Sequence, residues 1–277
     1  MPELPEVESL RRILSRSAVG RTIVGARIGT LPLRRRVVPD FGAEIAGRTI
    51  ERISRRAKYL MFELSGDSII LAHLGMSGSI THRHSDFDAS EFDAKHDHLE
   101  FALDDDTRLV YNDPRRFGMV RLLARAELAS IAELKGIGPE PLSDDFNVDY
   151  LAEQARGKKV AIKNLLMDQR MVAGVGNIYA SEILFHARIR PTRRAGRVKR
   201  AELELIVEFT SKVLRAAIGS GGTTFRSYRD SRGKPGAFSK RLMVYGRAGE
   251  RCYICGTPIK NIVLGQRASF FCPKCQR

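Results

Sequence analysis

Four cysteines stand in two pairs near the C-terminal end: Cys252-Tyr-Ile-Cys255, sixteen residues, then Cys272-Pro-Lys-Cys275. A C-x2-C pair places two thiolates on one tight turn, and two such turns make a closed tetrahedral site. Disulfides are the competing reading, but they belong to secreted chains. The N-terminal run MPELPEVESL has no basic segment followed by an apolar one, so it does not read as a signal peptide. No apolar run reaches the ~18 residues of a membrane span, so the expectation is a cytoplasmic chain without membrane contact. Cys252, Cys255, Cys272 and Cys275 are therefore expected to hold one structural Zn2+. Such a site has no open coordination position and fixes the hairpin between the pairs, which carries Lys260 and Arg267.

Charge narrows the choice of partner. With 47 basic and 32 acidic residues the formal charge is +15, which favours a polyanion, either nucleic acid or an anionic membrane surface. The charge is also uneven. Seven basic residues and no acidic one lie in 188–200, and eight basic residues against the single Glu250 lie in 240–277. The segment 86–106 is the reverse, with nine acids and only Lys95. A surface that meets DNA would avoid that segment.

At 277 residues the chain is long enough for about two domains. A helix is predicted through Val7, Leu10, Ile13 and Leu14, with Pro5 suited to its first position. Short β-rich pieces follow at 22–28, 49–53, 59–64, 68–71, 99–103, 108–111 and 117–122, separated by turn residues. Strands at this spacing suggest an antiparallel sandwich or barrel. After the glycine- and proline-bearing stretch 136–141 the pattern turns helical: 148–155, 159–167, 178–187 and 199–218. The last is strongly amphipathic, with Leu203, Ile206, Val207, Val213, Leu214 and Ala217 on one face. Residues 223–240 are polar and glycine-bearing, and the tail from Leu242 is β-like. The fold class is α+β.

Two short segments carry candidate chemistry. In Gly174-Val-Gly176-Asn177 before the helix at 178, Asn177 suits an N-cap, and free amides at a helix start attract phosphate. Lys163, Arg170 and the basic run after Ala187 favour that reading, although the glycines could simply turn one helix into the next. At the other end, removal of Met1 leaves Pro2 with a secondary amine. An α-amino group titrates near ~8, so part of it is neutral and nucleophilic at pH 7. Glu3 and Glu6 are placed to move protons, or merely to cap the helix.

Six ordered segments resemble bacterial formamidopyrimidine-DNA glycosylase, also called 8-oxoguanine DNA glycosylase, from end to end. They are Met1-Pro2-Glu3-Leu4-Pro5-Glu6-Val7-Glu8, Arg56-Ala57-Lys58-Tyr59, His73-Leu74-Gly75-Met76-Ser77-Gly78, Asn112-Asp113-Pro114-Arg115-Arg116-Phe117-Gly118, Val175-Gly176-Asn177-Ile178-Tyr179-Ala180-Ser181-Glu182, and the cysteine box with Gln266-Arg267 inside it. The resemblance implies an N-terminal catalytic β-sandwich over 1–135 and a helical helix–two-turn–helix domain over 136–222. A lesion-recognition loop over 223–240 and a zinc-finger hairpin over 241–277 complete it, with double-stranded DNA in the cleft.

The same resemblance implies the residue roles. Pro2 attacks C1′ of an oxidised purine nucleotide, Glu3 donates and accepts protons, and Glu6 supports the site. Lys58 contacts the lesion and phosphate region, and Lys163 faces the lesion strand. Asn177 and Arg267 grip phosphates. Met76, Arg115 and Phe117 fill the gap left by the flipped base, and His98 and Tyr245 join the DNA-binding set. The implied enzyme is a bifunctional glycosylase and abasic-site lyase, a monomer acting on DNA that holds oxidised bases or abasic sites. Segment 85–95 departs from the family pattern as an acidic insertion, and Arg226 stands where some members carry lysine. The sister enzyme for oxidised pyrimidines and a non-catalytic zinc DNA-binding protein are the rival readings.

Overall fold

The computed structural model describes residues 1–84, 94–223 and 236–277. It divides into two compact units. The first unit is Met1–Lys135 with Ile218–Ser239, and the second is Gly136–Ala217 with Lys240–Arg277.

The first unit runs α1 (Leu4–Ala18), β1 (Ile23–Ile28), α2 (Phe41–Ile45), β2 (Ile50–Arg56), β3 (Tyr59–Leu64), β4 (Ser68–His73), β5 (Ser79–Arg83), β6 (Asp97–Leu103), β7 (Arg108–Asn112) and β8 (Met119–Ala124). All pairings are antiparallel, in two four-stranded sheets of order β1-β6-β7-β5 and β2-β3-β4-β8. The period-two alternation of side chains sorts the core. Leu60, Phe62 and Leu64 of β3 join Ile70 and Ala72 of β4, Leu99, Phe101 and Leu103 of β6, and the α1 face Val7, Leu10 and Leu14. The opposite face of the second sheet is also covered: Met61, Ile69, Leu71, Met119 and Leu123 pack with Ile131. Burial on both faces is why β3 and β4 read as continuous apolar runs rather than alternating ones.

The helix at the N-terminus starts at Leu4, so Pro5 is its second residue rather than its first. Two elements escape the sequence pattern. α2 is only five residues long, too short to show a period. β5 buries Thr81 and His82 alongside Ile80, so its inward face is not apolar.

The second unit contains α3 (Val148–Ala155), α4 (Ile162–Met167), α5 (Asn177–His186), most of α6 (Arg200–Gly219), and a hairpin of β9 (Lys260–Leu264) and β10 (Arg267–Phe271). α5 is buried over Ile178 to Phe185, and the cysteine cluster packs on it through Phe185, Val244, Cys252, Ile259 and Cys272. The C-terminal tail is stitched to the same helix end. Gln276 Nε2 donates to the Ile189 carbonyl at 2.8 Å, and the backbones of Arg188, Arg190 and Arg277 exchange bonds of 2.9 and 3.1 Å.

Candidate active site and nucleic-acid interface

In the first unit the start of α1 gathers charge. Glu6 reaches back one turn, its Oε2 accepting from Glu3 N at 2.8 Å, while Glu3 receives the Glu6 amide, a reciprocal capping box. The other oxygen of Glu6 accepts from Thr223 N at 2.7 Å. Glu3 and Glu6 are 3% and 1% exposed. Lys58, 6% exposed, follows Ala57 in the tight β2–β3 turn, where Ala57 takes φ 51°. The terminal amine, here that of Met1, lies within range of four of the expected residues. Burial lowers its pKa below the ordinary α-amine value; Glu3 and Glu6 oppose the shift, and Lys58 and Arg115 reinforce it. A neutral amine is the reactive form, so this setting favours nucleophilic chemistry.

A cavity of about 720 Å³ opens beside this terminus, lined by Met1, Leu33, Arg34, His73, Met76, Arg115 and Phe117. Two rigid loops shape it. Asp113 is fully buried and accepts from Ser77 Oγ at 2.6 Å, Arg115 N at 3.2 Å and Gly118 N at 2.8 Å. Tyr111 donates its hydroxyl to the His73 carbonyl at 2.9 Å. A Cβ on Gly118 would lie 1.7 Å from that hydroxyl, and one on Gly75 (φ 60°) would lie 2.5 Å from Gly118 N, so both loops need glycine where they cross. The lock leaves Phe117 47% exposed, with the Arg115 guanidinium 4.7 Å from its ring centre and Met76 half-buried. An exposed aromatic with a cation stacked on it can replace a base in a duplex stack.

His98 is placed differently from a direct phosphate contact. It is 3% exposed, and its Nε2 meets the Asp113 carbonyl at 2.9 Å, so it braces the loop that carries Arg115. His73 is half-buried, with Nδ1 accepting from Gly75 N at 3.0 Å. Burial, with Lys58 and Arg34 adding, pushes its pKa down to about 4 against Asp113, so it is neutral at pH 7.

In the second unit Lys163 and Asn177 meet. Lys163 is fully buried, donating to Asn177 Oδ1 at 2.5 Å, Ser269 Oγ at 2.6 Å and the Ala268 carbonyl at 3.2 Å. It therefore does not present its charge to a lesion strand; it ties α4 and α5 to β10. Asn177 is the first residue of α5 and not its cap, a place taken by Gly176. Its amide instead donates to the Ala268 carbonyl at 2.9 Å, which brings it beside exposed Arg267. Tyr245 stacks edge-on to Phe270, centroids 5.0 Å apart.

Glu182, 1% exposed, holds Tyr245 in place by accepting the amides of Met243, Val244 and Tyr245 at 2.8, 3.0 and 2.9 Å. Burial raises its pKa even so. Sequence reasoning assigned no role to Glu182, Asp113 or Ser77. A lone carboxylate in an apolar helix was the available signal for the first.

The four cysteine sulfurs lie within 4.8 Å of one another. Cys252 and Cys275 are 3.9 Å apart, and Cys255 and Cys272 are 3.4 Å apart. A tetrahedral ZnS4 centre with bonds of about 2.3 Å needs sulfur–sulfur edges of ~3.8 Å, so the set fits one zinc ion.

The segments also match known families in chain order: "Formamidopyrimidine-DNA glycosylase N-terminal domain" over 1–120, "Formamidopyrimidine-DNA glycosylase H2TH domain" over 137–229, and "Zinc finger found in FPG and IleRS" over 249–277. Formamidopyrimidine-DNA glycosylases of Vibrio parahaemolyticus and Hahella chejuensis are each 47% identical, with all of both chains covered. A mutant of Lactococcus lactis FPG bound to DNA containing Fapy-dG superposes with TM-score 0.90 at 36% identity over 100% of both chains. A complex of Lactococcus lactis FPG with abasic-site DNA gives 0.89 at 37% over 99% of both.

The class is thus that of base-excision repair enzymes, zinc-finger DNA glycosylases with abasic-site lyase activity. Within it, the chain belongs to the formamidopyrimidine-DNA glycosylase family.

Proposed function

We propose that the chain excises oxidised purines, 8-oxoguanine and formamidopyrimidines, from double-stranded DNA and cuts the strand through an adduct on Pro2. The observation that carries this reading is the gathering at the start of the chain: Pro2, Glu3, Glu6 and Lys58 are all buried, and the Met1 amine beside Pro2 is desolvated. Removal of Met1 makes the ring nitrogen of Pro2 the terminus.

The lone pair of the Pro2 nitrogen forms a bond to C1′, the glycosidic bond breaks with its own electron pair going to the base, and the proton that the amine sheds on attack balances the one the base takes up. The C1′–O4′ bond then opens, Glu3 protonates O4′, and a C1′ iminium on Pro2 forms. Loss of the C2′ proton expels the 3′ phosphate, and a second elimination expels the 5′ phosphate. Glu6 holds Glu3 and the entry of the loop at Thr223. Lys58 attends the lesion and its phosphate, and Asn177 and Arg267 hold phosphates. Met76, Arg115 and Phe117 replace the flipped base, whose extrusion costs a few kcal/mol of stacking. Tyr245 belongs to the DNA-facing set directly and His98 through the turn it braces. Lys163 supports it by anchoring the β10 backbone.

The reading keeps four functional parts: 1–135, 136–222, 223–240 and 241–277. Most of the lesion loop, and most of the acidic insertion 85–95, lie outside the described residues. It takes the protein as a monomer of the bacterial cytoplasm. No helix among the described residues is long and apolar enough to cross a membrane.

Borohydride trapping on a duplex with one 8-oxoguanine opposite cytosine tests the reading. A covalent protein–DNA band that maps to Pro2, and is lost in Pro2→Gly, is the expected result. Released base without a band would mean a water-using glycosylase. Strong preference for thymine glycol over 8-oxoguanine would overturn the substrate assignment.

A further inference from the structure

Between the helix that carries the terminal amine and the turn that carries Lys58 runs a tie that none of the roles above uses. Glu8 lies on α1, little more than one turn beyond Glu3. Its Oε2 accepts from Arg55 Nε at 3.2 Å. Arg55, on the last turn-side residues of β2, donates its Nη1 to the carbonyl of Ala57 at 2.8 Å. Both side chains are nearly enclosed, at 13% and 11% exposure. Ala57 is the residue that needs holding. It is 1% exposed and takes a left-handed φ of 51°, a conformation that is strained for any residue with a Cβ. Lys58 comes next in the chain.

We propose that Glu8 and Arg55 are positioning residues for strand cleavage, fixing the turn at Ala57 so that Lys58 stands at its working distance from the terminal amine. The inference rests on the amine reading given above. The guanidinium suits the task because its planar fork spans two acceptors at once, the carboxylate on one side and the carbonyl on the other. A lysine offers a point charge and reaches one of them. Glu8 is ionised at any working pH: although burial opposes it, Arg11, Arg12 and Arg55 hold its carboxyl down at about 2. A solvent cavity of about 420 Å³ borders the pair, lined by Glu8, Arg11, Arg52, Ile53 and Arg55. A small guanidinium compound can therefore enter where the Arg55 head is removed.

The test is single-turnover cleavage of 8-oxoguanine duplex and of abasic-site duplex by the full-length protein, with rate and half-saturation measured separately. Arg55→Met is expected to lower the maximal rate by on the order of 10²-fold, as a misplacement of about 1 Å does, with half-saturation little changed. Added methylguanidinium should restore part of the rate, and Arg55→Lys should restore less. Glu8→Gln, which keeps an acceptor but loses the charge, should fall between wild type and Arg55→Met. Arg12→Met is the control, since Arg12 also bonds Glu8 but is exposed and, unlike Arg55, lies on α1 rather than beside the turn at Ala57. Full-rate cleavage by Arg55→Met, or a loss confined to half-saturation, would overturn the proposal. So would a rate loss that methylguanidinium and Arg55→Lys both leave untouched in a protein with wild-type thermal unfolding. If Arg55→Met does not fold, Glu8→Gln at full rate decides against it. The parent reading fails separately, by absence of a Pro2 adduct in the wild-type protein.

Discussion

Lys58 and Lys163 are both buried lysines, 6% and 0% exposed, one in each unit. Lys163 holds an amide oxygen, a hydroxyl and a carbonyl within 3.2 Å, drawn from α5 and β10. Its charge holds a hairpin against two helices. Lys58 instead bears on the terminal amine, lowering its proton affinity alongside Arg115. Burial alone does not mark a lysine as chemical or structural; the groups it faces do. The two regions are also stabilised differently. The first is a sandwich whose loops are locked by a buried aspartate and by glycines, whereas the second depends on four thiolates that require a metal to sit 3.4 to 4.8 Å apart without repulsion.

The largest effect should come from breaking the second region at its metal. Structural zinc contributes about 10 kcal/mol or more to the folding of isolated zinc-finger peptides. Cys252→Ser should lose the zinc, read as metal content per chain, and with it DNA binding. The sandwich, which holds no ligand of the cluster, should keep its folded signature. Undiminished DNA binding by metal-free protein would mean that the hairpin stands without the metal. The contrast between the regions would then dissolve.

Next in size is an exchange of the two lysines for methionine. Lys163→Met takes the donor from Asn177 Oδ1 and from the buried Ser269 hydroxyl, and a buried polar group left without its partner costs about 1–3 kcal/mol, so the urea midpoint should fall. Lys58→Met should instead act on the chemistry, lowering strand cleavage ~10²-fold or more through the charge that Lys58 places near the terminal amine. Equal loss of cleavage by both would erase the distinction.

Much of this was legible in the sequence, for identifiable reasons. The cysteine spacing fixes a local geometry whatever surrounds it, and β3 has the bounds its apolar run implies. Met76 could be placed just beyond a strand because it follows the apolar run 68–71, whereas Phe117, expected to open a strand over 117–122, lies before β8, which starts at Met119. What stayed hidden depends on contacts far apart in the chain. Lys163 reads as a surface cation near phosphate because its partners, Ala268 and Ser269, lie more than a hundred residues away. Asn177 reads as a cap because propensity favours it there, yet tertiary bonds to Lys163 and Ala268 claim its side chain. Likewise His98 gives no local sign that its ring serves the Asp113 carbonyl. Return of 218–239 to the first unit is equally nonlocal, made through contacts such as Glu6 with Thr223.

The smallest effect concerns pH and sharpens the view of the first region as locked by burial. His73 is neutral in the folded protein, with a pKa of about 4, set first by burial and then by Lys58 and Arg34. In the unfolded chain a histidine titrates near ~6.5. As pH falls through ~6.5 the unfolded state takes up the proton and the folded state does not, so unfolding gains. The contribution of His73 is complete above ~6.5, declines between ~6.5 and ~4 by at most about 1.4 kcal/mol per pH unit, and is gone below ~4, where both states are protonated. His73→Asn retains an acceptor for the Gly75 amide but cannot titrate. Urea unfolding at pH 7 and pH 5 should therefore show a smaller stability loss for the variant than for wild type. An equal loss in both would place the pH sensitivity on other groups, and would argue that water reaches the His73 ring despite the Tyr59 ring packed 4.8 Å away.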